Sequence, residues 1–133
     1  MAVVEELIRV GEEDTLSFGN YLLSEKKKVE NFEFEGDLYK VKTYNEITKL
    51  EKNGGFVYES VPGSTVTNFK AENDKVSFDV EAGDDVQITL ELEEDKVYRV
   101  FVDEENIGQM RTNLGGKVSI SVGKNAHVVI ERA

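Results

Sequence analysis

The stretch YRVFVDEENIGQMRTNLGGKVSIS, residues 98–121, carries the pattern that decides the fold. Its last segment alternates, so Val118, Ile120 and Val122 would share one face of a strand, because successive strand side chains point to opposite sides of a sheet. Asp103-Glu104-Glu105-Asn106 interrupts two β-forming segments and Asn113-Leu114-Gly115-Gly116 precedes the alternating one, as turns would. The same DEEN is also one of the few carboxylate-rich loops in the chain. It therefore has two readings, a turn between strands or a metal-binding loop.

Working outward, KVSFDV places Val76, Phe78 and Val80 on one face, and VQITLEL does the same with Val86, Ile88, Leu90 and Leu92. Tyr98 to Val102 and Ala126 to Glu131 are apolar on both faces for part of their length, which predicts central positions in a sheet. The C-terminal half reads as a six-stranded meander or Greek key. Before it, LSFGNYLL, NFEFE, DLYKVKTY, FVYESV and STVTNF carry the β-branched and aromatic residues of strands, with turn signals at Asn53-Gly54-Gly55 and Pro62-Gly63. Short helical turns fit Ala2 to Ile8 and Tyr44 to Leu50. The expected fold is mainly β, an antiparallel β-sandwich or barrel-like fold of about ten short strands with at most one or two short helices. It should form a single domain over residues 1–133, with two packed lobes, 1–70 and 71–133, as the possible subdivision.

The chain has 27 acidic and 16 basic residues, a net charge of −11, and no cysteine. The imbalance is −4 over residues 1–70 and −7 over residues 71–133. An acidic surface repels phosphate backbones, so neither nucleic acid nor an anionic membrane is an expected partner. Lys26-Lys27-Lys28 lies between Glu25 and Glu30 and reads as a solvated turn. Thiolate catalysis, thiolate zinc sites and disulfides are excluded. With acidic residues at Glu5 and Glu6 and no run near the roughly 20 apolar residues of a membrane helix, a cytoplasmic protein is expected.

Candidate chemistry is sparse. The one histidine, His127, reads as an exposed strand residue in AHVVIE, and there is no GxSxG elbow. Leu114-Gly115-Gly116-Lys117 precedes a strand rather than the helix a phosphate loop requires, so a hairpin turn is the better reading. A glycosidase places two carboxylates ~5 to 10 Å apart in a cleft, usually beside aromatic platforms. No pair stands out here, and there is no tryptophan; Tyr21, Tyr39, Tyr44, Tyr58 and Tyr98 form the pool of sugar-stacking candidates. No catalytic residue is assigned and no cofactor is expected, with calcium as the one candidate ion. Its ligands would be Asp84, Asp85, Asp103, Glu104 and Glu105, if EAGDD and DEEN lie at one end of the fold.

The segments DTLSFGNYLL, GDLYKVKTYNEITKLEKNGGFVYESVPG and MRTNLGGKVSISV together resemble a group of small bacterial proteins often labelled endosialidase. That resemblance covers nearly the whole chain and implies a glycan-related role, without a catalytic motif. A six-bladed propeller would not fit into 133 residues, and only Arg9, Arg99, Arg111 and Arg132 could grip a sialic acid carboxylate. Residues 98–121 also resemble, as a pattern of strand and turn, immunoglobulin-like or carbohydrate-module sandwiches. The residues favour a non-enzymatic structural or protein-interaction module that self-associates or binds another protein; the alternatives are a carbohydrate-binding or glycosidase-related protein and a ligand-carrying barrel. For self-association, AHVVIE near the C-terminus is the expected exposed edge strand.

Overall fold

Wherever apolar and polar residues alternate, the chain extends with its apolar side chains turned to a shared core. The computed structural model describes residues 3–133. The strands in chain order are β1 (Ile8–Val10), β2 (Leu16–Phe18), β3 (Lys27–Phe34), β4 (Asp37–Thr43), β5 (Thr48–Lys52), β6 (Gly55–Val61) and β7 (Ser64–Ala71). They continue with β8 (Lys75–Ala82), β9 (Val86–Glu91), β10 (Val97–Val102), β11 (Glu105–Arg111), β12 (Lys117–Val122) and β13 (Asn125–Arg132). One 3-10 turn, Glu12–Asp14, is the helical element among the described residues. No helix there is long and apolar enough to cross a membrane.

Two antiparallel sheets make a sandwich without closing into a barrel. One has the order β1-β2-β7-β8-β13-β10-β11 and the other β12-β9-β6-β5-β4-β3. Each sheet therefore draws strands from both halves of the chain, and one core cluster spans the interface. At its centre Tyr58 of the six-stranded sheet meets Phe18 and Phe78 of the seven-stranded sheet edge-on, with ring centroids 5.3 and 5.8 Å apart. This geometry suits the ring quadrupoles and fills the gap between sheets.

Several expectations change. Strands β8 to β13 do not form a meander: β9 and β12 belong to the sheet opposite β8, β10, β11 and β13. The last strand is internal, bonded to β8 on one side and β10 on the other, so AHVVIE is not an edge. Its doubly apolar composition was the sounder guide, because a central strand has no solvated margin. Residues 48–50 of the expected Tyr44–Leu50 helical turn belong to β5, where Thr48 and Leu50 point inward at period two. Of the expected turn Ala2 to Ile8, Ala2 lies outside the described residues, and Ile8 begins β1. Leu114-Gly115-Gly116 is a turn but not a hairpin, since it carries the chain from β11 in one sheet to β12 in the other.

The passage from β6 to β7 fixes how the sheets meet. At Pro62-Gly63 the chain leaves the six-stranded sheet and enters the seven-stranded one. Gly63 lies so close to Tyr44 that a Cβ would collide with the Tyr44 carbonyl oxygen. Beside it Thr43, Thr48, Ser60 and Ser64 are fully buried. The Thr48 hydroxyl accepts from the Ser64 N–H at 3.0 Å and donates to the Ser64 carbonyl at 2.9 Å, joining β5 to β7 across the sandwich. Thr43 stands 2.8 Å from Thr48 and accepts the Asn20 N–H at 2.9 Å. Buried backbone groups at the corner are thus satisfied by side chains where no strand can reach them.

We expect Gly63→Ala to destabilise the protein by about 2 kcal/mol or more, because the obstruction is backbone and cannot rotate away. Urea unfolding should show a lower midpoint with an unchanged slope; an unchanged midpoint would mean that the corner is not a close contact.

Candidate functional site

The acidic loop that opened the sequence is a two-residue hairpin turn. Val102 pairs with Glu105, and Asp103 and Glu104 between them have φ of 51° and 69°. Both lie in the left-handed region that this kind of turn requires. The Asp103 carboxylate accepts the His127 N–H at 2.9 Å, while its own N–H donates to the His127 carbonyl at 2.8 Å. Asp84 accepts the N–H of Asp85 at 2.8 Å in the loop after β8. The two loops do lie at the same end of the sandwich, as strand directions require. They are nevertheless offset, because the residue across β13 from Asp103 is Asp79, paired with His127, and Asp84 and Asp85 follow only after β8 has ended. Among the described residues no group of three or more His, Asp or Glu side chains is arranged to hold a metal ion.

His127 is exposed, and its ring has one carboxylate partner, with Nδ1 2.7 Å from Asp79 Oδ1. Asn68 holds the other Asp79 oxygen at 2.9 Å. The nucleophile that such a pair would have to activate is not among its hydrogen-bond partners. The buried hydroxyls are a second group with the look of chemistry: Tyr58 and Ser60 lie 2.8 and 2.6 Å from the Ser64 hydroxyl. All three are fully buried, so they join the sheets and offer nothing to a substrate. Four of the five tyrosines, Tyr21, Tyr39, Tyr58 and Tyr98, are buried. Tyr44, the fifth, lies under the Lys26 ammonium, 5.7 Å from its ring centre. No sheet face presents a row of open tyrosines.

The concavity with the richest chemistry is at the opposite end from DEEN. There the sheets part, and a cleft of about 600 Å³ opens between β2 and β7 on one side and β4 and β6 on the other. Leu16, Phe34, Tyr39, Val57 and Phe69 form its apolar floor. A second hollow of about 490 Å³ continues it past Ala71, Glu72 and Glu91 toward Leu92 and Tyr98. Around the mouth stand five carboxylates, Asp14, Glu35, Asp37, Glu72 and Glu91, and two lysines, Lys52 and Lys70. Asp37 is engaged, accepting Asn53 at 2.9 Å and facing Lys52 at 3.4 Å. Those partners hold its carboxyl below the usual range, the Asn53 hydrogen bond first and the Lys52 charge after it. Among the described residues, the side chains of Asp14, Glu35, Glu72 and Glu91 have no hydrogen-bond or ion-pair partner. Burial raises the Tyr39 hydroxyl above its ordinary value, and the charges of Asp37 and Glu35 act in the same direction. The floor is therefore partly dehydrated beneath a negative rim, a combination that favours a ligand with both apolar and cationic groups.

Of the cleft residues the sequence singled out Tyr39 alone, in the pool of sugar-stacking candidates, because the lining comes from positions as far apart as Asp14 and Glu91. The one local signal is the phenylalanine pair of NFEFE, of which Phe34 reaches the floor.

Two outcomes test these assignments. Because Asp79 and not Asp84 faces Asp103, millimolar calcium should shift the melting temperature by less than about 1 °C relative to chelator; a clear rise would support a calcium site in these loops. Burial strongly raises the Tyr58 hydroxyl, with the Ser64 and Ser60 hydrogen bonds opposing the shift less strongly. Folded Tyr58 thus stays protonated where an unfolded tyrosine ionises, near pH ~10, so stability is full below that pH and falls as pH rises above it. Tyr58→Phe should flatten that alkaline fall in denaturant titrations; an unchanged slope would place the effect on other tyrosines. Comparison with known proteins found no matching family model, no matching curated protein and no matching solved structure.

Proposed function

We propose that this protein is a non-enzymatic interaction module, and that its binding site is the acidic cleft between the parted sheets. The ligand is a protein surface that carries lysine or arginine beside apolar side chains. The observation behind this reading is the pairing of an apolar, aromatic floor with four rim carboxylates, Asp14, Glu35, Glu72 and Glu91, that have no internal partner. Apolar side chains on the floor supply affinity by leaving water, and the rim charges supply orientation and encounter rate. The fully buried hydroxyls and the singly partnered His127 support a binding role over catalysis. A chain without cysteine suits a cytoplasmic setting.

The test is fluorescence anisotropy with a labelled peptide alternating lysine and leucine, against a matched peptide with glutamine for lysine. We expect saturable binding of the first in the range of about 1 to 100 μM, weakened about tenfold by the double variant Glu72→Gln/Glu91→Gln. Both side chains are exposed, so the variant should melt like the parent. Equal binding of the two peptides, or binding indifferent to the variant, overturns the assignment of the cleft.

A further inference from the structure

Charge in this protein is sorted by structure. Strand residues carry 13 basic and 10 acidic side chains, net +3, whereas the rest of the chain carries 3 basic and 17 acidic, net −14. The acidic surface belongs to the loops at the ends of the sandwich. The outer face of the six-stranded sheet is different. There Lys28 pairs with Lys42 and Lys42 with Lys49 across three adjacent strands, so three lysines stand side by side in one row. Like charges directly opposite one another destabilise a sheet. Inside the chain they are answered only in part: Glu30 lies 2.9 Å from Lys28 and 3.8 Å from Lys40, and Lys42 and Lys49 form no ion pair. The Lys49 ammonium lies 5.8 Å from the Phe56 ring centre instead. On β6 the row ends at Glu59, opposite Lys49, and Val61, two residues further along that strand, is 53 % exposed. An apolar residue next to a row of cations is the chemistry that the acidic cleft suits.

We propose that the occupant of the cleft is a second copy of this chain, docked by the Lys28-Lys42-Lys49 row of its six-stranded sheet. The inference rests on the reading of the cleft as a binding site for a basic, partly apolar surface. Glu72 and Glu91 of one copy face the lysine row of the next, so these carboxylates and the Lys42 and Lys49 ammonium groups, which form no ion pair among the described residues, neutralise one another between chains. The two surfaces are different, a cleft at an end of the sandwich and a row on a sheet face, and they adjoin at Phe56, a cleft residue whose ring centre lies 5.8 Å from the Lys49 ammonium. The contact is therefore heterologous. Each added copy exposes a fresh cleft and a fresh row, and the assembly grows as an open chain unless its rotation closes a ring.

Sedimentation velocity over a hundredfold range of concentration at low ionic strength tests this with three proteins. The natural chain should associate as concentration rises. The variants Glu72→Lys/Glu91→Lys and Lys42→Glu/Lys49→Glu should each remain monomeric, since each opposes like charges across the contact. An equimolar mixture of the two should regain association, because each supplies the surface that the other now requires. Thermal melting shows that both variants are folded. A natural chain that stays monomeric yet binds the lysine-leucine peptide overturns the self-docking and leaves the cleft assignment standing; one that does neither overturns both. Association by either variant alone, or a mixture that remains monomeric while the natural chain associates, shows that the cleft and the lysine row do not touch.

Discussion

The corner at Gly63 and Ser64 is the constraint on which the rest of the sandwich depends. The chain builds the six-stranded sheet as far as β6, then must enter the opposite sheet within two residues. Only a residue without a side chain fits beneath the Tyr44 carbonyl, and the Thr48 hydroxyl then clamps both backbone groups of Ser64. Once β7 is placed there, β8 pairs with it and β13 with β8, while β9 returns to β6. A solvated loop could make the same reversal, but it could not hold Tyr58 against Phe18 and Phe78. Buried hydrogen bonds of this kind matter mainly through what their loss would expose, an unsatisfied backbone group in a dry interior.

Opening at one end follows from the same arrangement. Near the corner the sheets are joined by hydroxyls and close glycine contacts, and at the far end the β3–β4 and β7–β8 turns belong to different sheets with a cleft between them. Acidic residues gather in such connections because the inward strand positions are apolar, and lysines take outward positions where a long stem can lie along the sheet. Net charge alone gives a poor account of this surface. It correctly describes the loops, and it conceals a lysine row in a protein of charge −11.

Alternation made many strands legible. Val118, Ile120 and Val122 are buried as their spacing requires, and Asn53-Gly54 turns the chain with both residues at positive φ. DEEN could be recognised as a turn because Asp, here at the first of the two left-handed positions, tolerates the backbone that a two-residue hairpin needs. Partner choice was not legible. Ala126 to Glu131 carried two signals, nearness to the terminus and apolar composition, and only composition reports burial. In Tyr44 to Leu50, Ile47 and Leu50 happen to be three apart, but over so short a segment a helical period cannot be told from the start of a strand. The cleft left little local trace, since its lining is assembled from seven strands and the turns between them.

By itself the sequence determined that this chain would form antiparallel strands with one apolar face each, where many of them would turn, and that thiol chemistry would play no part. These are local properties: side-chain direction alternates within a strand, and turn conformations are set by a few neighbouring residues. Tertiary structure decided which strands share a sheet, which strand ends stand apart to open the cleft, and which lysines stand in one row. Those outcomes depend on register and crossover between segments distant in the chain. Period-two alternation is the same for every arrangement of strands that buries the same faces.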